Sequence, residues 1–250
     1  MIGPSCVLVK GPAVVNNLNI SLHHTEVRHL QKETLIDTSE RNFADPFDAP
    51  DLALETLRRV TGVLDHLNIN YMTYDGTLLG IIRQGGFIPG DNDLDLCIPR
   101  SDFSPDLFEA MAAAGLQPVW RTSFDGVLAN CRFSYGDMPI DLSGWSPEPG
   151  LLVRQFGFRN GFLVAKSPAC ERVKTSFLGQ DIWIPKSPEE TLTALYGPDW
   201  RLPVQSWDHM FSIHNLTDIF GNSDALINGT RRWLKAHGHP PNINAKKAAQ

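Results

Sequence analysis

Cysteine is scarce in this chain: Cys6, Cys97, Cys131 and Cys170 are so widely spread that no two form a CxxC pair. Neither a zinc module nor a disulfide framework is written into it, and the thiols read as reduced and packed. Long apolar runs are missing too, since no stretch approaches the roughly 18–20 residues that a membrane-spanning helix needs. The opening MIGPSCVLVKGPAVV is broken by Gly, Pro and Lys, which makes it a poor secretory core and points to a cytoplasmic protein. The Asn-x-Ser/Thr triplets at Asn19, Asn215 and Asn228 then read as chance matches. A basic excess is also lacking. A net charge of -6 and a pI near 5.7 argue against a nucleic-acid polymer and leave a single nucleotide as the better partner.

What is present is concentrated between Tyr71 and Arg100, YMTYDGTLLGIIRQGGFIPGDNDLDLCIPR. The pattern predicts a strand, a tight turn, a short helix, a glycine turn and a second strand. Asp91, Asp93 and Asp95 alternate along that second strand, so their carboxylates share one face while Leu94, Leu96 and Ile98 point into a core. Like charges crowded in this way resist desolvation. A hard cation with oxygen ligands, Mg²⁺ or Mn²⁺, compensates them. Upstream, Thr77 falls where a helix N-cap belongs and Gly76 lets backbone approach closely, so the turn's free N–H groups suit a phosphate. Arg83 on the same helix adds a planar, permanently charged fork for phosphate oxygens. An anion site beside a cation site is what metal-assisted phosphoryl chemistry requires.

Gly-Thr after a strand, followed by an Asp-hydrophobic-Asp strand, resembles the nucleotidyltransferase superfamily. The longer string GTLLGIIRQGGFIPGDNDLDL is similar to the LicD/fukutin family within it, whose pattern is close to GTLLG-x-x-R-x-x-x-FIPWDDDIDI. Two positions depart: Gly90 stands for the family's Trp, which bears on the donor or acceptor pocket, and Asn92 stands for an Asp on the parity opposite the carboxylate face. Superfamily sites resemble a triad whose third carboxylate comes from a neighbouring strand. Asp141, between Ile140 and Leu142, fits that role, with Asp137 in a turn-like SYGDMP context as its competitor. Late in the chain, IPKSPEETLTALYGPDWRLP is similar to a second family string, so the resemblance covers about residues 55–205.

The resemblance implies an α/β fold with a nucleotidyltransferase-like mixed β-sheet flanked by helices. It implies transfer of a phospho-ligand, such as phosphocholine or a polyol phosphate, from a CDP-linked donor to a glycan or glycolipid hydroxyl, with release of CMP. Asp93, Asp95 and Asp141 would carry the catalysis and the metal; Gly76, Thr77, Arg83 and Asp91 would meet the donor. A nucleotidyltransferase acting on a small molecule or protein is the rival within the superfamily. A noncatalytic donor-binding regulator of glycan phosphorylation is the rival of another class.

In chain order, residues 1–45 read as an N-terminal extension, 46–205 as the catalytic domain and 206–250 as a helical or frayed tail. His23, His24 and His29 lack metal-ligand spacing. Asp51 is the expected cap of a helix whose stripe is Leu54, Leu57, Val60, Val63, Leu64 and Leu67. Ser101 or Asp102 should cap a second helix, and Ser187 with Glu190 should form a capping box on a third. Arg154, Arg159, Lys166, Arg172 and Lys174 are available to phosphates, though each alone reads as a surface charge. Tyr196, Gly197 and Trp200 read as packing and turn residues. A tail helix near SDALINGTRRWLKAHG would offer Arg231, Arg232 and Lys235 to a peripheral membrane contact or to solvent.

Overall fold

A computed structural model describes residues 30–39, 41–124, 126–158, 161–203, 214–221 and 244–247. Its first helix, α1 (Pro50–His66), buries Leu57, Val60, Val63 and Leu64 on the predicted stripe. The start differs from expectation: Pro50 opens the helix and Ala49 occupies the cap position without a side-chain bond, so Asp51 lies inside the first turn. There its charge complements the helix dipole. After β2 (Met72–Thr73) comes α2 (Asp75–Gln84), ended by Gly85 in the left-handed region at φ 67. The Gly86 N–H reaches back to the Gly80 carbonyl at 3.3 Å, a bond that closes the last turn.

The next strand, β3 (Leu94–Pro99), is shorter than the sequence pattern suggests. Asp91 and Asp93 lie in the loop before it, because the Gly90 turn at φ 80 delays strand pairing until Leu94. A 3₁₀ turn over Arg100–Asp102 then leads to α3 (Pro105–Ala113). The cap is Ser104, which accepts from the Leu107 N–H at 3.3 Å; neither Ser101 nor Asp102 serves.

The strands β4 (Gln117–Phe124), β5 (Val127–Tyr135) and β6 (Met138–Glu148) form an antiparallel meander. Leu30–Thr34, here β1, pairs with the outer edge of β4. The long β6 serves two neighbours on its far side. Its first half runs parallel to β3, and its second half pairs antiparallel with β7 (Leu151–Phe158), which continues into β8 (Gly161–Pro168). The sheet is therefore mixed, with antiparallel pairs predominating among the described strands. A separate hairpin, β9 (Arg172–Phe177) and β10 (Gln180–Pro185), precedes α4 (Pro188–Tyr196). The capping box is not formed, since Ser187 takes the cap position but makes no side-chain cap bond. Further strands, β11 (Leu216–Gly221) and β12 (Asn244–Lys247), extend the sheet beyond β8.

One face of the sheet supplies the core. Leu94, Leu96, Ile98, Cys131, Phe133, Ile140 and Leu142 are all buried against α1 and α3 residues such as Leu57, Leu64 and Leu107. At about 25 cal/mol per Å² of apolar surface, this burial fixes the order and parity of β3, β5 and β6. The opposite parity is thereby left for polar side chains. Among the described residues, no helix is long and apolar enough to cross a membrane. His23, His24, His29, Arg159 and the expected tail helix lie outside the described residues.

Candidate active site

The parity forced by the core aligns three charged residues across three strands. Asp95 on β3 is in register with Asp141 on β6, and Asp141 with Arg132 on β5. Register partners project to the same face. Asp93, two residues before Asp95, joins the row from the preceding loop. Arg132 ties it together: Nε donates to Asp141 Oδ1 at 2.5 Å, and Nη2 donates to Asp141 Oδ2 at 2.9 Å and also to the Asp93 carboxylate.

The start of α2 meets this row from the side. Asp75 opens the helix with φ 44, and the Gly76 N–H then donates to Asp95 Oδ2 at 3.0 Å. The Thr77 hydroxyl accepts from the Asp95 N–H at 2.8 Å. Thr77 is thus not the helix cap but lies within the first turn, its hydroxyl serving the β3 backbone; Tyr74 occupies the cap position. A side chain at Gly76 would collide with the Asp91 carboxylate and stand 3.2 Å from Asp95 Oδ2. Here glycine lets the two carboxylates approach the start of the helix.

A second arginine holds Asp75. Arg154 on β7 clamps its carboxylate at both oxygens, Nη1 to Oδ2 at 2.5 Å and Nη2 to Oδ1 at 2.9 Å. Its guanidinium lies near the rings of Tyr74 and Phe156, 4.4 and 4.8 Å from their centres. Arg154 is therefore committed within the fold and is not a surface charge. Lys166 pairs with Glu148, while Arg172 and Lys174 both lie over Trp183. On the loop side, Asp45 Oδ2 accepts from the Gly90 N–H at 2.8 Å, pinning the turn that delivers Asp91 and Asp93. Apart from its chain neighbours, no heavy atom lies within 4 Å of where a Gly90 side chain would begin, so that side of the turn is open.

Burial and mutual repulsion show in the acidities. Burial first, then Asp45 and Asp75, pushes Asp91 up to about 6. Burial and Asp141 push Asp93 up to about 8, with Arg132 opposing them. Asp95 is raised well above the ordinary carboxylate value by burial and by Asp93, Asp75, Asp91 and Asp141. The Tyr196 phenol is raised by burial and by Asp75, Asp95 and Asp91. This tyrosine thus borders the acidic cluster as well as packing against the core.

The five carboxylates of Asp75, Asp91, Asp93, Asp95 and Asp141 exceed the charge of Arg132 and Arg154. An all-oxygen donor set with surplus negative charge fits a hard divalent ion, and the Arg132 guanidinium already stands as a cation between Asp93 and Asp141. In the arrangement observed, no three Asp, Glu, His or Cys side chains among the described residues converge as a ligand set.

Of the residues singled out from sequence, Asp93, Asp95, Asp141, Gly76, Thr77 and Asp91 come together here, while Asp137 stays in the β5–β6 turn. Arg83 lies seven positions beyond Gly76, about 10 Å along the helix axis. Its buried Nε has no hydrogen-bond partner, and the arginines that pair with the site's carboxylates are Arg132 and Arg154. Sequence reasoning missed Arg132, Asp75 and Asp45, and took Arg154 for a surface charge available to phosphate. For Arg132 a signal existed: a lone cation between core-facing Cys131 and Phe133 mirrors Asp141 between Ile140 and Leu142.

Comparison with known proteins agrees with this placement in the chain. Residues 68–187 match the family model described as LicD/FKTN/FKRP, nucleotidyltransferase domain. It is 28% identical over 172 residues to the Mus musculus ribitol-5-phosphate transferase FKTN, covering 66% of this chain and 36% of the relative. It is 29% identical over 164 residues to the Homo sapiens protein of that name, covering 62% and 34%. With the Homo sapiens ribitol 5-phosphate transferase FKRP it shares 31% over 106 residues, 40% of this chain and 21% of the relative. The chain spans about a third of the length of the FKTN relatives. Among solved structures, the antibiotic-resistance factor ANT(2'')-Ia aligns with a TM-score of 0.41 and 13% identity, covering 76% of this chain and 85% of that one.

Proposed function

We propose that this protein transfers a phospho-ligand from a CDP-linked donor to a hydroxyl of a glycan or glycolipid, releasing CMP. The observation that carries the reading is the row Asp93, Asp95 and Asp141 laid against the Gly76–Thr77 start of α2, inside the stretch that matches the LicD/FKTN/FKRP family model and is similar to ribitol-5-phosphate transferases. Asp93, Asp95 and Asp141 would hold Mg²⁺ or Mn²⁺. When bound, such an ion supplies positive charge to the phosphoryl oxygens. Gly76, Thr77 and Asp91 would face the donor at the start of α2, and Arg83, further along that helix, would meet its more distant phosphate oxygens.

In the proposed reaction Asp141 receives the proton of the acceptor hydroxyl. The bond between that oxygen and the donor's β-phosphorus forms, the bond from β-phosphorus to the bridging oxygen breaks, and CMP departs with the bridging oxygen. The test is incubation of the full chain with Mg²⁺, a panel of CDP-linked donors and glycan acceptors, with products read by mass spectrometry. Free CMP and a phosphodiester-linked product without cytidine are expected. A nucleotide on the acceptor, with pyrophosphate released from a triphosphate, would transfer the assignment to a nucleotidyltransferase. Donor binding without turnover across the panel would favour a regulator.

A further inference from the structure

Arg132 is a residue of the site that the proposed reaction does not use. Its guanidinium is 18% exposed at the side chain, and its carboxylate partners Asp93 and Asp141 are 17% and 21% exposed. All three are reachable from solvent. The guanidinium has a further neighbour at the same time, since the Trp120 ring centre on β4 lies 5.5 Å from its central carbon, and a cation over an aromatic face is favourable. Asp93 and Asp141, the two carboxylates it holds, are also two of the three that would ligate a divalent ion. Both cations cannot take the same oxygens.

We propose that Arg132 is an exchangeable internal cation, pairing with Asp93 and Asp141 in the ion-free protein and surrendering both when a divalent ion binds. The proposal rests on the metal reading above. Geometry favours exchange over a permanent brace. On leaving, the guanidinium keeps its Trp120 contact and exchanges carboxylate oxygens for water, whereas a compact divalent charge gains more from the same oxygens. Arg132 then sets the affinity of the site for its ion, and the released guanidinium remains at the rim beside the carboxylate row.

Two measurements on the full chain test this. In calorimetric titration with Mn²⁺ alone, Arg132→Gln should bind the ion about ten-fold more tightly than the parent, with Arg132→Lys between them. The Arg132 Nε–H resonance, identified in ¹⁵N-labelled parent protein by its absence from Arg132→Lys, should move on saturation with Mg²⁺ as its bond to Asp141 breaks. This second readout does not depend on Arg132→Gln folding. Mn²⁺ binding of equal or lower affinity in Arg132→Gln, or an Nε–H signal unmoved at saturation, would overturn the exchange while leaving the ion site standing. Absence of Mn²⁺ binding to both parent and variants would overturn the metal reading and the exchange together.

Discussion

Two arginines flank the acidic cluster, and they are held in different ways. Arg154 is sealed, with 2% of its side chain exposed, two bonds to Asp75 and the rings of Tyr74 and Phe156 centred 4.4 and 4.8 Å from its guanidinium. Arg132 sits at the rim with 18% exposed and divides its bonds between Asp93 and Asp141. The difference lies in what happens when the partner is removed. A desolvated ion deprived of its counter-charge cannot recover hydration without opening the fold, whereas a rim ion can. Arg154 thus belongs to the architecture that forces Asp75 into its left-handed turn, and Arg132 belongs to the chemistry.

The sharpest break of this comparison is Arg154→Met. It strands the Asp75 carboxylate beside an apolar wall, and because that carboxylate is 28% exposed the cost should sit at the low end for a broken buried pair, about 3 kcal/mol. The melting temperature should fall by about 10 °C in calorimetry. A fall of only a degree or two would make the two arginines equivalent.

The next effect is on pH dependence. Asp91 and Asp93 have folded-state values raised to about 6 and about 8, so between about pH 4 and 8 the folded protein keeps protons that the unfolded chain has released. The sign follows: stability in EDTA should decline as pH rises through that window. Mg²⁺ should flatten the decline by compensating the ionised carboxylates, and Asp93→Asn should remove most of its upper part. Melting temperatures in EDTA that climb steadily to pH 8 would show that Arg132 neutralises the cluster by itself.

Gly76→Ala comes third. The new methyl meets the ends of the Asp91 and Asp95 side chains rather than backbone, so the carboxylates can move aside and the stability loss should be about 1 kcal/mol. Mn²⁺ affinity, read by titration, should fall by more than the stability change suggests. Retained affinity would show that the helix start does not shape the carboxylate row.

Smallest of all should be the stability effect of Arg132→Gln, within about 1 kcal/mol by urea denaturation at neutral pH, because Gln keeps a hydrogen-bonding amide beside Asp141, and Asp93, raised to about 8, can hold a proton in place of its ion pair. A loss matching that of Arg154→Met would turn Arg132 into a second brace and remove the contrast.

The local grammar of the chain determined a good deal. The alternation of Leu94, Leu96 and Ile98 with Asp93 and Asp95, the left-handed Gly85 after α2, and Asp141 between two apolar residues each follow from backbone periodicity and apolar burial, which act over a few residues. What only the tertiary structure decided is who meets those carboxylates. The helix start expected to await an external anion has its Gly76 N–H taken by Asp95, and Thr77, expected to cap the helix, serves the β3 backbone instead. Arg132 and Arg154 reach the cluster across 39 and 79 positions of sequence. Such pairings depend on the register of β3, β5, β6 and β7 and on the close packing that Gly76 permits, and register is a property of strands meeting in three dimensions that no single segment encodes.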